Sequence, residues 1–267
     1  MLYSIGFIGT GNMGSALARA VSKAVPADSL YLSNRTIEKA QRLAKELGCH
    51  AVSVLEAAKC DIIFLCVKPQ MLKDLLSQIS TVLSNRKNHI TLISVAAGVT
   101  IESIREMAGE QYPVIRIMPN TPVEVGEGVV LYDYSDNVPS DMIGYFLDSM
   151  KCAGLVDHLP EKLIDAGTSV AGCGPAFAFM FLEALADGGV ACGLPKNKAL
   201  IYAQQMLFGS AKLAMLSQKK PAQLKDEVCS PGGSTVEGVK ALEQGAFSSL
   251  TISAVEASYR KNKKLGK

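Results

Sequence analysis

The sequence predicts an α/β fold in which a doubly wound parallel sheet over residues 1–160 is followed by an all-α domain over residues 161–267. Short apolar runs alternate with amphipathic stretches in the first part, whereas only helical spacing follows it. Neighbouring parallel strands need a crossover connection, and the intervening helices supply it while covering both faces of the sheet. The change of pattern near residue 160 therefore marks the predicted domain boundary.

The predicted strands are short and rich in Ile, Val, Leu and Phe, which suits strands buried on both faces. They cover 3–9, 30–33, 51–54, 61–67, 90–97 and 113–119. Amphipathic spacing between them predicts helices over 12–24, 36–48, 69–84 and 100–109. Regular alternation of this kind is typical of a doubly wound sheet.

The second part predicts helices over 161–187, 195–218, 221–229 and 235–262, with Gly and Pro at the breaks. Small and apolar residues occur almost all round the segment 166–193. A helix of that kind must be buried on most sides, and the rest of this domain offers too little cover. A second subunit is the natural cover, so we expect a homo-oligomer, at least a dimer.

Composition narrows the class of partner. The formal net charge is only +2, with acidic and basic residues interspersed, so the polybasic surface that nucleic acid requires is not expected. No apolar run is expected to be long enough to span a membrane. The 7 cysteines form no CxxC pair and no metal-ligand spacing with the 3 histidines, which predicts reduced thiols, no metal and a cytoplasmic protein.

The stretch IGTGNMGSA places Gly9, Gly11 and Gly14 directly after the first predicted strand and at the start of a helix. This context is typical of a Rossmann-type dinucleotide site. Gly9 permits the tight turn, Gly11 lets the backbone approach a pyrophosphate, and Gly14 allows close packing of helix on strand. The alternative is a tight turn without a ligand.

The residues after the second predicted strand indicate which nucleotide is bound. The run from Leu32 to Thr36 has no carboxylate to bind a ribose hydroxyl, and it contains Arg35, whose guanidinium can hold a phosphate in a forked contact. The expected cofactor is therefore NADP(H). The alternative is that Arg35 is an ordinary surface arginine.

Motifs along nearly the whole chain resemble those of the pyrroline-5-carboxylate reductase family. They are FIGTGNMG, SNR, VKPQ, SVAAGVTI, RIMPNTP, GCGPAFAFMFLEALADGGVACGLP and LKDEVCSPGGSTVEGVKALE. The resemblance implies hydride transfer from NAD(P)H to a cyclic imine carboxylate, giving L-proline in the last step of proline biosynthesis. It also implies cofactor contacts from Ile8, Gly9, Thr10, Gly11, Asn12, Met13, Asn34, Arg35, Ser53, Val67, Lys68, Pro69, Ala96 and Ala97.

The resemblance further implies substrate contacts from Glu161, Glu227, Gly233, Ser234, Thr235 and Asn120, with Thr235 and Lys68 as candidate catalytic residues. Glu227 stands where the family often has asparagine, and a carboxylate beside an anionic substrate is unfavourable unless it meets the ring nitrogen.

The loop CSPGGSTVEGV supports an anion site independently of the family. Ser234 and Thr235 are expected at the N-cap of a helix that begins near Val236, where free N–H groups and the helix dipole suit a carboxylate. The alternatives are that these hydroxyls only cap their helix, that Lys68 is a surface lysine, and that Asn120 belongs to an ordinary turn.

Two other functions are compatible with parts of the sequence. One is a 3-hydroxyacid dehydrogenase-like NADP oxidoreductase, although the run GCGPAFAF lacks the lysine that such enzymes usually carry nearby. The other is a non-catalytic NADP-binding redox sensor, which would have no need of a second anion site.

Overall fold

The computed structural model describes residues 3–86 and 90–265, with side chains described as far as residue 264. The chain divides into two compact units. The first contains the residues up to Cys173 and those from Ser258 onward, and the second runs from Gly174 to Ala257. The predicted domain boundary at residues 160/161 stays a prediction.

The first unit is built on an eight-stranded sheet in the order β3-β2-β1-β4-β5-β6-β7-β8. All neighbouring strands are parallel except β6 and β7. The strands are β1 (Ile5–Ile8), β2 (Leu30–Ser33), β3 (His50–Ala51), β4 (Ile62–Leu65), β5 (Thr91–Ser94), β6 (Val114–Pro119), β7 (Gly128–Tyr134) and β8 (Gly154–His158).

Seven α-helices of this unit, α1 to α7, lie between the strands or directly after the last one. They are α1 (Asn12–Ser22), α2 (Ile37–Leu47), α3 (Val54–Ala57), α4 (Pro69–Ser84), α5 (Ile101–Ala108), α6 (Ser140–Met150) and α7 (Glu161–Gly167). A 3-10 turn covers Thr121–Val125, and a π turn covers Thr168–Gly172.

The core lies on both faces of the sheet, as the doubly wound prediction requires. Along β4, Phe64 packs into a cluster with Leu17 of α1, while its neighbour Leu65 packs into a second cluster with Leu72 of α4. Successive strand residues point to opposite faces, so one apolar strand serves both layers. The predicted fold class is therefore confirmed.

Several local predictions were wrong. The strand expected over 51–54 shrinks to β3, because Ser53 caps α3 instead: its Oγ accepts the N–H of Glu56, and the Glu56 carboxylate accepts the N–H of Ser53. The sequence pattern predicted no element between residues 120 and 160, where β7, α6 and β8 lie. The helix expected over 161–187 is interrupted by the π turn, which Thr168 and Ser169 support with hydroxyl bonds to backbone carbonyls.

The second unit consists of helices: α8 (Gly174–Ala191), α9 (Lys196–Leu216), α10 (Pro221–Val228), α11 (Ser234–Gln244) and most of α12 (Phe247–Leu265). The single helix expected over 235–262 is divided between α11 and α12 at Ala246, whose φ of 58° no helix can contain.

Little of the second unit's apolar surface is covered. Its buried hydrophobic residues are Ala186, Ala199 and Ala203, which pack α8 against α9. A groove of about 810 Å³ lies between α8 and the segment of α11 and α12. Its lining includes Phe177, Phe181, Leu242, Phe247 and Leu250. Exposure on this scale agrees with the expectation that a partner covers these helices.

The expectation that no apolar run is long enough to span a membrane was wrong. The helical stretch Glu161–Ala191 is 31 residues long and apolar enough, by length and composition, to cross a membrane, with 11 % of its most apolar window buried. Such a helix is weak evidence for a span, since a helix that packs in a protein core meets the same criteria.

Candidate active site

The first glycine turn has the geometry that a dinucleotide requires. Gly9 has φ of 108°, and a side chain there would overlap the carbonyl oxygen of Cys66. A side chain at Gly14 would overlap the carbonyl oxygen of Gly9, whereas at Gly11 it would meet open space. Gly9 and Gly14 thus let the turn and α1 pack closely, and the surface in front of Gly11 stays open to a ligand.

The N-terminus of α1 is free to bind an anion. Its N-cap is Gly11, which provides no side-chain cap, and its first turn has no acidic residue. Thr10 beside it is 5 % exposed, and its Oγ1 has no hydrogen-bond partner among the described residues. Unpaired N–H groups, a positive dipole end and an orphaned hydroxyl together fit a pyrophosphate.

A cleft of about 700 Å³ opens beside this turn, at the carboxyl ends of β1, β2 and β4. Its charged lining residues are Arg35, Lys39, Lys68 and Asp74, so cations predominate. Of the residues predicted to bind the cofactor, seven line it: Ile8, Gly9, Gly11, Asn34, Arg35, Val67 and Lys68. We call it the adenosine-side cleft, because the second βα loop forms one wall.

Lys39 is a cation of this cleft that sequence reasoning missed. It lies in the first turn of α2, and it also lines a second cleft of about 620 Å³ between α1 and α2. That second cleft contains the predicted residues Thr10, Asn12 and Met13. Lys39 is visible as a basic residue in the run SNRTIEK, but whether its side chain faces the cleft depends on where α2 begins.

The other four residues predicted to bind the cofactor line neither cleft, and each has a structural role. Ser53 caps α3, and Pro69 is the first residue of α4, after the N-cap Lys68. Ala96 is 1 % exposed and packs in the core, and Ala97 packs against a small cluster around Met118. Their contacts with a cofactor stay predictions.

Cys66 follows β4 and lines the adenosine-side cleft. Burial raises the pKa of its thiol to about 12. The thiol therefore stays protonated at neutral pH.

Asn120, predicted to contact substrate, is 7 % exposed and uses its amide internally. Its Oδ1 accepts the N–H of Val129 at 2.8 Å, and its Nδ2 donates to the carbonyl of Ala171 at 3.0 Å. The side chain thus ties the π turn to β7. The alternative interpretation placed Asn120 in an ordinary turn, whereas its side chain bonds to residues of two other elements.

Glu161, also predicted to contact substrate, is the first residue of α7. Its Oε1 accepts the N–H of Ile101 at 2.8 Å and Nη1 of Arg116 at 2.9 Å. Arg116 is 3 % exposed and lies on β6. No sequence pattern predicts the pairing of Arg116 with Glu161, because the two residues are 45 positions apart in the chain.

In the second unit, the loop before α11 differs from the prediction in one respect. The helix begins at Ser234, two residues before Val236, and its N-cap is Gly233. Ser234 and Thr235 are therefore not N-caps, and no side chain caps this end. Gly232 has φ of 71°, which a residue with a side chain rarely adopts. The first N–H groups of α11 are left available, as an anion site needs.

Two carboxylates near this loop are each paired with a lysine. Glu237 in the first turn of α11 contacts Lys240 at 2.7 Å, and Glu227 of α10 contacts Lys219 at 2.6 Å. Both pairs offset negative charge that would disfavour an anionic ligand. All four side chains are more than half exposed, so solvent screens the pairs.

A doubly wound sheet whose first glycine turn leads into an uncapped helix, beside a cationic cleft at the strand ends, defines a Rossmann-type dinucleotide-binding protein. The family model described as pyrroline-5-carboxylate reductase dimerisation matches residues 161–265. The model described as NADP oxidoreductase, coenzyme F420-dependent, matches residues 4–98.

Relatives match over nearly the whole chain. Pyrroline-5-carboxylate reductase 2 of Homo sapiens is 40 % identical, over 98 % of this chain and 83 % of its own length. The enzyme of Pisum sativum is 35 % identical, over 98 % of this chain and 96 % of its own. The crystal structure of Plasmodium falciparum pyrroline carboxylate reductase with NADP bound has a TM-score of 0.89 and 34 % identity, covering 99 % of this chain and 98 % of that one. The chain belongs to the pyrroline-5-carboxylate reductase family.

Proposed function

We propose that this protein reduces 1-pyrroline-5-carboxylate to L-proline, with NADPH as the preferred hydride donor. The observation that carries the proposal is the presence of two uncapped helix starts after glycine turns, at Gly11 in the first unit and Gly233 in the second. One suits a dinucleotide pyrophosphate and the other a single carboxylate. Family membership supports the same substrate.

The residues present fit NADP(H). The N–H groups at the start of α1 and the Thr10 hydroxyl would hold the pyrophosphate, and the adenosine-side cleft would hold the adenosine. When bound, the nicotinamide supplies the hydride. The protein's part is to fix the dinucleotide and the imine and to keep water from the reacting atoms.

The preference for NADPH is supported by the charges of the cleft. Arg35 and Lys39 both line the cleft. Asn34 holds the loop that carries Arg35, because its side chain bonds to Thr36 in that loop and to Thr10 in the glycine turn. The residues from Leu32 to Thr36 provide no carboxylate to repel a 2′-phosphate. A guanidinium and an ammonium would then share the phosphate charge.

Thr235 and the free N–H groups of α11 would bind the substrate. The N–H groups and the dipole hold the carboxylate, and the Thr235 hydroxyl orients the ring nitrogen. Lys68, the N-cap of α4, adds positive charge at the cofactor cleft. No strong general acid is needed, because a protonated imine is already an effective hydride acceptor.

We further propose that the protein works as a homo-oligomer, at least a dimer, in the cytoplasm, and that it binds neither nucleic acid nor membrane. The exposed apolar groove of the second unit and the match to a dimerisation family support the oligomer. The low net charge of +2 argues against nucleic acid.

Steady-state assays with 1-pyrroline-5-carboxylate and each nicotinamide test the proposal. We expect NADPH oxidation with formation of L-proline, a higher kcat/KM with NADPH than with NADH, and much weaker activity on 1-pyrroline, which lacks the carboxylate. Tight NADPH binding without turnover would favour the redox sensor. Turnover of a 3-hydroxyacid in place of the imine would favour the dehydrogenase.

A further inference from the structure

Among the described residues that line the adenosine-side cleft, Asp74 is the single carboxylate, beside the cations Arg35, Lys39 and Lys68. It lies on α4 and is exposed. Within the described part of the chain, no ion pair or side-chain hydrogen bond involves it. A carboxylate in a cleft that binds a polyanion weakens binding unless it meets a donor on the ligand. The phosphate groups of the ligand therefore give no reason for Asp74 to line the cleft.

One face of α4 forms a wall of this cleft. Met71, Asp74, Leu75 and Gln78 line it, and their spacing of three and four residues places them on the same side of the helix. The N-cap Lys68 lies at the strand end beside the glycine turn. A helix rises about 1.5 Å per residue, so Asp74 lies about 9 Å along the helix axis from Lys68. The wall thus runs from a cation, past apolar side chains, to polar groups.

This order of groups matches the adenosine half of NADP(H). The phosphates suit the cations, and the adenine ring suits the side chains of Met71 and Leu75. The 6-amino group of adenine is a hydrogen-bond donor. The other donor of this half is the ribose 3′-hydroxyl, which is adjacent to the 2′-phosphate, where a carboxylate would be repelled. The 6-amino group is therefore the donor that suits Asp74.

We infer that Asp74 is a specificity-determining residue of the cofactor site: its carboxylate accepts a hydrogen bond from the 6-amino group of adenine and disfavours a purine with an oxo group at that position. The inference rests on the proposed use of NADP(H). An ionised carboxylate is an acceptor only, so it distinguishes an amino group from an oxo group. The Gln78 amide both donates and accepts, so it does not make that distinction.

Reduced nicotinamide hypoxanthine dinucleotide phosphate tests the inference, because it differs from NADPH in the oxo group at position 6 and the proton on the adjacent N1. A carboxylate that reaches this N1 proton also meets the oxo oxygen, so the analogue should bind the wild-type protein more weakly. Loss of a hydrogen bond to a charged acceptor predicts a Kd roughly tenfold higher than that of NADPH. Fluorescence titration of the two reduced nucleotides, without imine, measures the ratio.

Asp74→Asn assigns the discrimination to this residue. The amide of the variant can accept from an amino group or donate to an oxo group, so the two Kd values should come within about twofold of each other. Both nucleotides carry the same phosphates, so the general gain from removing a negative charge cancels in the ratio. Glu38→Gln is the matched control, because Glu38 is an exposed carboxylate of α2 that does not line the cleft. That variant should keep the wild-type ratio.

Equal Kd values for the two nucleotides in the wild-type protein would overturn the inference, as would an unchanged ratio in Asp74→Asn. Thermal unfolding checks that each variant is folded. Because the titrations contain no imine, a protein that shows the expected ratios but does not reduce the imine would refute the proposed reaction and support the role of Asp74. A protein that binds no NADPH would overturn both.

Discussion

The Oδ1 of Asn34 accepts a hydrogen bond from the backbone N–H of Thr10 at 3.1 Å, and this bond joins the loop after β2 to the glycine turn after β1. The Nδ2 of the same side chain donates to the carbonyl of Thr36 at 3.0 Å. One amide therefore fixes both loops that border the adenosine-side cleft. Asn34 acts on the shape of the site whichever nicotinamide is bound.

Asn34→Ala should weaken NADPH and NADH alike. Two hydrogen bonds of about 1 kcal/mol each would be lost, which predicts a rise in Kd of up to roughly thirtyfold for either nucleotide. Fluorescence titration of the reduced nucleotides measures it. Asn85→Ala, at the exposed end of α4, should leave both Kd values unchanged. A loss confined to NADPH would mean that Asn34 contacts the 2′-phosphate and does not shape the cleft.

Arg35→Ala and Lys39→Ala should weaken NADPH and spare NADH. Each removes a cation from the adenosine-side cleft, and a charge-assisted contact with phosphate predicts a loss of roughly tenfold in NADPH affinity. The ratio of kcat/KM for the two nucleotides reports the change. Lys45→Ala is the control, because Lys45 is an exposed cation of α2 that lines neither cleft. Equal losses for both nucleotides would place the 2′-phosphate elsewhere.

The features predicted correctly from sequence are local ones. Gly9, Gly11 and Gly14 lie close together in the chain, in the loop after β1 and the first turn of α1. Their packing roles follow from local backbone sterics, and the structure agrees with them. Lys39 was missed because its place in the cleft depends on the start of α2. The contact between Arg116 and Glu161 was missed because it joins residues 45 apart, which no periodicity reports.

Errors in the secondary structure have local physical causes too. The run 51–54 has the apolar residues of a strand, but the reciprocal capping of Ser53 and Glu56 favours a helix start. β8 lies at the edge of the sheet, so its residues are largely exposed and its apolar pattern is weak. The helix was expected to continue from α11 into α12, although Gly245, which stands directly before Ala246 and is the C-cap of α11, is a helix-stop signal that the sequence contains.

Gly14→Ala should disrupt the dinucleotide site through packing. The added methyl group would overlap the carbonyl oxygen of Gly9, and overpacking of this kind predicts a loss of about 1–3 kcal/mol in the free energy of unfolding, together with weaker NADPH binding. Gly144→Ala in α6 is the matched control, because its methyl group would meet open space. That variant should be more stable by about 0.5–1 kcal/mol. Urea unfolding of both variants compares them.

Thr235→Ala should affect the imine and leave the cofactor unaffected. The hydroxyl is not needed as a helix cap, since Gly233 holds that position, so α11 should stay folded. We expect a higher KM or a lower kcat for the imine at unchanged NADPH affinity. Thr235→Ser, which keeps the hydroxyl, should restore most of the activity. Unchanged kinetics in the alanine variant would remove Thr235 from the site.

Because of Asp61, the free energy of unfolding of the first unit should decrease at acidic pH. Burial alone would raise the pKa of its carboxyl, but hydrogen bonds from Ser4 and Arg86 outweigh burial and hold the pKa below its usual value of 3.8. Those bonds come from the Ser4 N–H at 3.0 Å, the Ser4 hydroxyl at 2.7 Å and Nη2 of Arg86 at 2.7 Å. The ionised form is thus favoured more in the folded protein than in the unfolded chain. Its contribution is complete above the unfolded pKa and is lost as the pH falls through the folded pKa.

Asp61→Asn should therefore lower the free energy of unfolding at neutral pH by about 2 kcal/mol, since hydrogen bonds to a charged acceptor become bonds to a neutral one. The difference between the wild-type protein and the variant should be constant above about pH 5 and should shrink below it, as the wild-type carboxyl takes up its proton. Urea unfolding at neutral and acidic pH measures both quantities. A difference that persists unchanged into acid would mean that the variant disturbs packing around Ser4 and Arg86, and that the charge of Asp61 does not stabilise the fold.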